Sequence, residues 1–300
     1  MANALIVLRQ IVIMFIYMFI GFLLYKKELI TREGSKSLAS LLLYGVLPCV
    51  IVKSFLVQRT AENTRLLIAS LVGTAVLLGM SMLIAHVLFK KNPIEDFGVA
   101  FSNAAFMGFP LVAGVLGQDY VFYAAGFGAI LNALQWTYGQ SILAGDPSLR
   151  SPKAIAKNPL VLSLVLGLIV FFTGFSFPDI ITSTLSSMSA LNAPLAMIIL
   201  GVYLAQTDIK SMFTDAHIYK ISAFRLIVIP LISAVIARLF MGGELREVGI
   251  ALIIAASAPI GSNVAVYSQK LGLDYTYAVK LVCLSTVFSI VTMPLMIMLL

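Results

Sequence analysis

Charge is what this 300-residue chain has least of: only 11% of its residues are Asp, Glu, Lys or Arg. A soluble domain of that length needs roughly twice the share to coat its surface. Hydrophobic residues make up 60% and the mean hydropathy is +1.02, so most of the chain must sit in lipid. Thiols are nearly as scarce. Cys49 and Cys283 both fall inside apolar runs, which excludes a disulfide framework and a cysteine metal knuckle. There are two histidines, His86 and His217, and all thirteen carboxylates fall in predicted loops or at helix ends. An intramembrane enzyme needs a nucleophile and base, or metal ligands, within its spans. No catalytic residue, resident metal or cofactor is therefore expected. A proton relay of buried aspartates also lacks its residues. Sodium held by carbonyls and amides is untouched by that absence, so coupling to Na+ or H+ stays open.

What is present is a series of apolar runs long enough to cross about 30 Å of hydrocarbon. They lie near 5–25, 36–56, 65–88, 97–116, 120–142, 158–175, 183–204, 219–240, 247–269 and 275–299. The first run is followed by Lys26 and Lys27 with no small-residue cleavage pattern, which predicts a retained span rather than a signal peptide. The net charge of +7 matters less than its distribution, and no nucleic-acid partner is expected. If alternate loops beginning with the first are cytoplasmic, that side holds twelve basic residues, from Lys26 to Lys270, against six on the other. Both termini are therefore expected outside, in a multi-pass plasma (cell inner) membrane. Lys280 and Arg225 fall within two turns of predicted helix ends, where a long side chain is expected to snorkel to the interface.

The halves repeat. Gly21 and Gly167, and Pro48 and Pro194, share an offset of 146 residues. Leu116-Gly117-Gln118-Asp119-Tyr120 reappears as Leu271-Gly272-Leu273-Asp274-Tyr275 at an offset of 155, a longer second-half loop from Gln206 to Ile218 making up the difference. Each half has a proline inside its second span and a Gly/Pro break in its fourth. Residues 1–143 and 158–300 thus read as two five-span repeats joined by a short cytoplasmic linker, 144–157. An odd number of spans per repeat inverts the second copy.

The breaks carry the chemistry. Span four reads Ser102-Asn103-Ala104-Ala105-Phe106-Met107-Gly108-Phe109-Pro110, and span nine reads Ser257-Ala258-Pro259-Ile260-Gly261-Ser262-Asn263. Proline lacks an N–H and glycine costs about 1 kcal/mol of helix propensity, so both stretches favour an interrupted helix. Freed backbone groups must then face protein or a watery cavity. Where two such breaks meet, half-helix N-termini offer N–H groups and positive partial charge, with Asn103, Ser262 and Asn263 beside them. That suits a carboxylate; the plainer alternative is kinked, continuous helices. Asn132, Gln135 and Tyr138 in span five are candidates to line the same cavity, or simply interhelical hydrogen-bonding groups. Trp136 is expected in the core or against lipid, His86 and His217 in solvent, and Asp119 and Asp274 as helix N-caps.

These residues resemble those of the auxin efflux carrier family, within the bile/arsenite/riboflavin-type transporter superfamily, over nearly the whole chain. Asn103-x-x-x-Met107-Gly108-x-Pro110 looks like the family's Asn-x-x-x-x-Gly-x-Pro crossover, and Leu47-Pro48 fits its second span. Pro259 with Asn263, and Ser285-Thr286 to Pro294, fit more loosely. The resemblance implies ten helices of the kind seen in bile-acid transporters and NhaA, with broken, crossing helices four and nine. It implies a scaffold of spans 1, 2, 6 and 7, carrying Pro48 and Pro194, and a transport domain of spans 3–5 and 8–10 that slides against it. The implied activity is elevator-type transport of a small organic anion: a carboxylate such as malate or malonate, or an auxin-like acid. A carrier for a neutral or cationic solute, and a sodium-coupled bile-acid-like symporter, are the alternatives. The scaffold spans are the expected surface of a homodimer. The long central loop of many plant members is absent, with only Ala144 to Lys157 in its place.

Overall fold

The computed structural model describes residues 2–117 and 120–298. Among these the regular structure is helical, and the one approach to a sheet is an isolated antiparallel bridge between Ser102 and Ile260. In hydrocarbon every backbone N–H and C=O must be satisfied within the chain, and a helix does so locally. The fold is carried by α1 (Ala2–Lys26), α2 (Arg32–Ser54), α3 (Ala61–Phe89), α4 (Pro93–Ala100), α5 (Phe109–Val115), α6 (Val121–Leu134), α7 (Pro159–Thr173), α8 (Asp179–Leu204), α9 (Ala216–Phe240), α10 (Arg246–Ala256), α11 (Asn263–Lys270) and α12 (Tyr275–Met298). By length and composition α2, α3, α8, α9 and α12 are each able to cross a bilayer, while Val12–Lys26 of α1 and all of α7 are shorter apolar helices. Apolar side chains such as Val72 and Leu83 on α3, Ile169 on α7, Leu239 on α9 and Val291 on α12 are exposed, which fits a surface in contact with lipid.

Helix starts follow side-chain chemistry. Thr31, Thr60, Asn92 and Asn158 each accept a hydrogen bond from a backbone N–H in the first turn of α2, α3, α4 and α7. Proline shapes the interiors. Wide π-helical turns at Leu42–Val46, Ala104–Gly108 and Phe224–Val228 precede Pro48, Pro110 and Pro230. Proline has no N–H to give and its ring presses on the carbonyl four residues back, and a wider turn sets that carbonyl aside. Pro194 lies just after the point, Leu191, where α8 is interrupted.

Helix α1 lies directly on α8. A Cβ on Gly21 would overlap the Ile198 carbonyl, and one on Gly201 would overlap that of Met18, so the backbones meet only because both positions are glycine. Helix α7 packs on the second part of α2, where a Cβ on Gly167 would fall 2.6 Å from the Phe55 ring. The stretch from Gln206 to Ile218, expected as a loop, contains a short helix, Ile209–Thr214, because the Asp208 carboxylate accepts the Lys210 N–H at its start. Gln118 and Asp119, with the acidic cap expected there, lie outside the described residues. In the matching turn Asp274 accepts from the Thr276 hydroxyl and the Tyr277 N–H at 2.6 and 3.0 Å and caps α12.

Candidate functional site

Two interrupted helices meet in the middle of the molecule. Helix α4 ends at Ala100, Phe101 is extended, and helix resumes with the π-turn at Ala104. Helix α10 ends at Ala256 and α11 begins at Asn263. The intervening segments run antiparallel: the Asn103 N–H donates to the Pro259 carbonyl at 2.7 Å, and the Gly261 N–H donates to the Phe101 carbonyl at 3.0 Å. The Ser102 hydroxyl donates to Ala255 O at 3.0 Å, and the Ile260 N–H donates to Ser285 Oγ at 3.2 Å. Two glycines allow this approach. A Cβ on Gly261 would stand 3.1 Å from Ser102 O and 3.2 Å from Gln135 Nε2, and one on Gly108 would stand 3.1 Å from Ala255 Cα. Pro110 occupies the first turn of α5, and Pro259, with no N–H of its own, presents its carbonyl to Asn103.

A cluster of carboxamides borders the crossing. The Asn263 Nδ2 donates to Gln135 Oε1 at 2.7 Å and to Asn132 Oδ1 at 3.4 Å, while Asn132 Nδ2 donates to Gly128 O at 2.9 Å. Asn103, Ser262, Asn263, Asn132 and Gln135 are all buried. Three of their polar atoms, Asn103 Nδ2, Ser262 Oγ and Asn263 Oδ1, have no hydrogen-bond partner. Leaving such a group unpaired in a protein interior costs about 1–3 kcal/mol, so the crossing holds unspent hydrogen-bonding capacity. Tyr138 does not join this cluster. Its ring packs edge-on against Phe101, with the Arg150 guanidinium 4.6 Å above it. The reason is a π-turn at Gln135–Gly139, which widens the helix there and resets the direction of each side chain beyond Gln135.

Arg225 corrects the sequence expectation outright. It does not snorkel: it is 2% exposed, set in the π-turn of α9, with its guanidinium pointing into the crossing. Nε donates to Ala258 O at 3.3 Å, Nη1 to Val99 O at 3.0 Å and to Ala100 O and Ser81 Oγ at 3.5 Å, and Nη2 to Ala256 O. Distance to a helix end cannot show this, because the partners come from α3, α4 and α10. The available signal was simpler, a permanent cation inside a span. His86 is exposed, as expected, and its Nδ1 lies 2.9 Å from Oδ2 of Asp96, a buried carboxylate in the first turn of α4.

On one side of the crossing the elements are tied together. Lys270 on α11 donates to the Tyr44 hydroxyl of α2 at 2.5 Å and lies 5.4 Å from the Trp136 ring centroid. Gln269 donates to Ser35 Oγ at 3.2 Å and accepts from the Tyr203 hydroxyl at 2.7 Å. On the other side a cavity of about 710 Å³ opens among Lys53, Asn63, Phe109, Tyr123 and Ser189. Phe109 lines it and rests on Gly128, the residue whose carbonyl accepts Asn132.

Apolar spanning helices around a buried polar crossing define a multi-pass membrane protein. The family profile described as "Membrane transport protein" matches residues 6–297. The chain belongs to that family, the auxin efflux carrier family of the sequence resemblance, and is a membrane transporter. It is 25% identical over 292 residues to a "Putative malonate transporter" of Rhizobium meliloti (strain 1021), covering 91% of this chain and 89% of that one. It is 28% identical over 202 residues to an uncharacterized transporter of Methanothermobacter thermautotrophicus, covering 65% and 64%. A similar uncharacterized transporter of Methanocaldococcus jannaschii is 23% identical over 303 residues, covering 95% and 96%.

Proposed function

We propose that this protein is a secondary transporter that carries a small organic anion, a carboxylate such as malonate, by elevator-type alternating access. The observation that carries the reading is the pair of buried, unpaired donors at the crossing, Asn103 Nδ2 and Ser262 Oγ. They stand where helix resumes at Ala104 and Asn263, so positive partial charge and free donors coincide. A carboxylate supplies what both need. A cationic solute gains nothing from these two donors; of the unpaired atoms at the crossing only the acceptor Asn263 Oδ1 suits one. The name of the Rhizobium relative makes malonate the first probe.

In this reading the chain forms ten spans in two inverted repeats, with both termini outside. The paired interruptions after Ala100 and Ala256 support it, as do the reciprocal packings of α1 on α8 and α7 on α2. The scaffold comprises α1, α2, α7 and α8 and offers the surface for a homodimer; the other helices form the transport domain. The ties of Gln269 and Lys270 to Ser35, Tyr203 and Tyr44 cross between the two, and the cavity beside Lys53 is the substrate's approach. Asn103→Ala or Asn263→Ala is expected to lower malonate uptake into proteoliposomes by about tenfold, the scale of one or two hydrogen bonds to a charged group, with near-normal folding. Unchanged uptake in both variants removes the proposed site.

A further inference from the structure

Four backbone carbonyls converge where α4 and α10 end, and the Arg225 guanidinium sits among them. Val99 and Ala100 close α4, Ala256 closes α10, and Ala258 follows in the crossing. The last carbonyls of a helix have no partner within it, and each helix end carries about half a negative charge. Two such ends in a water-poor interior therefore amount to about one unit of negative charge. One guanidinium matches that charge. Its fixed fork of five N–H donors also suits the acceptors within reach, the four carbonyls and the Ser81 hydroxyl. Among the described ion pairs none involves Arg225, so its charge is opposed by backbone alone.

We propose that Arg225 is the built-in counter-cation of the crossing. Its guanidinium fills the carbonyl cage that a sodium ion would otherwise occupy, so anion binding at Asn103, Ser262 and Asn263 proceeds without a bound cation. This deepens the anion-carrier reading and rests on it. The negative helix ends are neutralised by a charge that never leaves. The positive ends, at Ala104 and Asn263, face Asn103 Nδ2 and Ser262 Oγ instead of a fixed acid, and one carboxylate group completes the balance. Arg225 is thus a positioning residue that selects for anions without touching them. Lysine, a point charge with three donors, reproduces the charge and only part of the fork.

The test measures malonate uptake in proteoliposomes and thermal unfolding of the purified protein for wild type, Arg225→Lys and Arg225→Gln. Each is assayed in sodium chloride and in choline chloride, with and without low-millimolar guanidinium chloride. Wild-type uptake and unfolding temperature are expected to be the same in both salts and indifferent to guanidinium. Arg225→Lys retains part of the uptake. Arg225→Gln loses it by about tenfold or more, the scale of one charged hydrogen-bonding group, and guanidinium restores uptake and raises its unfolding temperature. A wild-type protein that requires sodium, or an Arg225→Gln variant with wild-type uptake and no guanidinium response, overturns the proposal. If the wild type itself takes up no malonate, the anion-carrier reading fails for this probe. Unfolding then decides for Arg225: guanidinium stabilisation of Arg225→Gln supports the counter-cation, and its absence overturns it. Should Arg225→Gln not fold, sodium dependence of the wild type or full uptake by Arg225→Lys overturns the proposal, and their opposites support it.

Discussion

Asn263 gives its amide to Gln135 and in doing so fixes which way its own carboxamide points, leaving Oδ1 and the neighbouring Ser262 hydroxyl unpaired at the crossing. Gln135→Ala leaves only the 3.4 Å contact to Asn132 to hold that amide. Malonate uptake should fall by about tenfold while unfolding shifts by about 1 kcal/mol, a difference that uptake and thermal melts on one preparation measure directly. The residue types of this site were legible in the sequence as paired Gly/Pro breaks and amides inside apolar runs, residues that elsewhere serve as kinks and interhelical hydrogen-bonding groups. Their partners were less so. Asn132 and Gln135 share a helix face as their spacing required, but Tyr138 follows a π-turn that no local pattern announced, and it turns toward Arg150. Arg225 was misplaced for a related reason: hydropathy registers distance to a helix end and is blind to carbonyls supplied by other helices.

At the scale of helices, the glycines that let backbones touch are the sensitive points. Gly21→Ala drives a methyl into the Ile198 carbonyl, and α1 must move off α8; a loss of about 1–3 kcal/mol in stability is expected, read by thermal unfolding in detergent. Gly79, with open space around it on α3, is the control: Gly79→Ala should be neutral or raise stability by up to about 1 kcal/mol. The sequence marked Gly21 as a repeat partner of Gly167, yet these two do different work, one against a backbone and the other against the Phe55 ring. Helix boundaries were less readable: the apolar runs expected from 36, 65 and 97 begin as helices at Arg32, Ala61 and Pro93, because Thr31, Thr60 and Asn92 cap polar first turns that hydropathy passes over. The prolines were readable as disturbances but not as π-turns, because whether a helix kinks, widens or stops depends on what surrounds it.

For the whole molecule, an elevator requires that the ties between its two parts break in every cycle. Gln269 Nε2 and Ser35 Oγ are 3.2 Å apart, so cysteines at the two positions would face each other across the length of one glutamine side chain, the span of a short bifunctional thiol reagent. In a background with Cys49 and Cys283 replaced, Ser35→Cys with Gln269→Cys should lose malonate uptake on treatment with a short bis-methanethiosulfonate reagent and regain it on reduction; full uptake by the cross-linked protein would show that these helices do not separate. The most direct test of the account is the flux itself. Labelled malonate should enter proteoliposomes containing the wild-type protein saturably and above protein-free vesicles, with that uptake reduced by both Asn103→Ala and Asn263→Ala. Contradiction would be no uptake of malonate, malate or an auxin-like acid above protein-free vesicles, or equal uptake by the wild type and both variants.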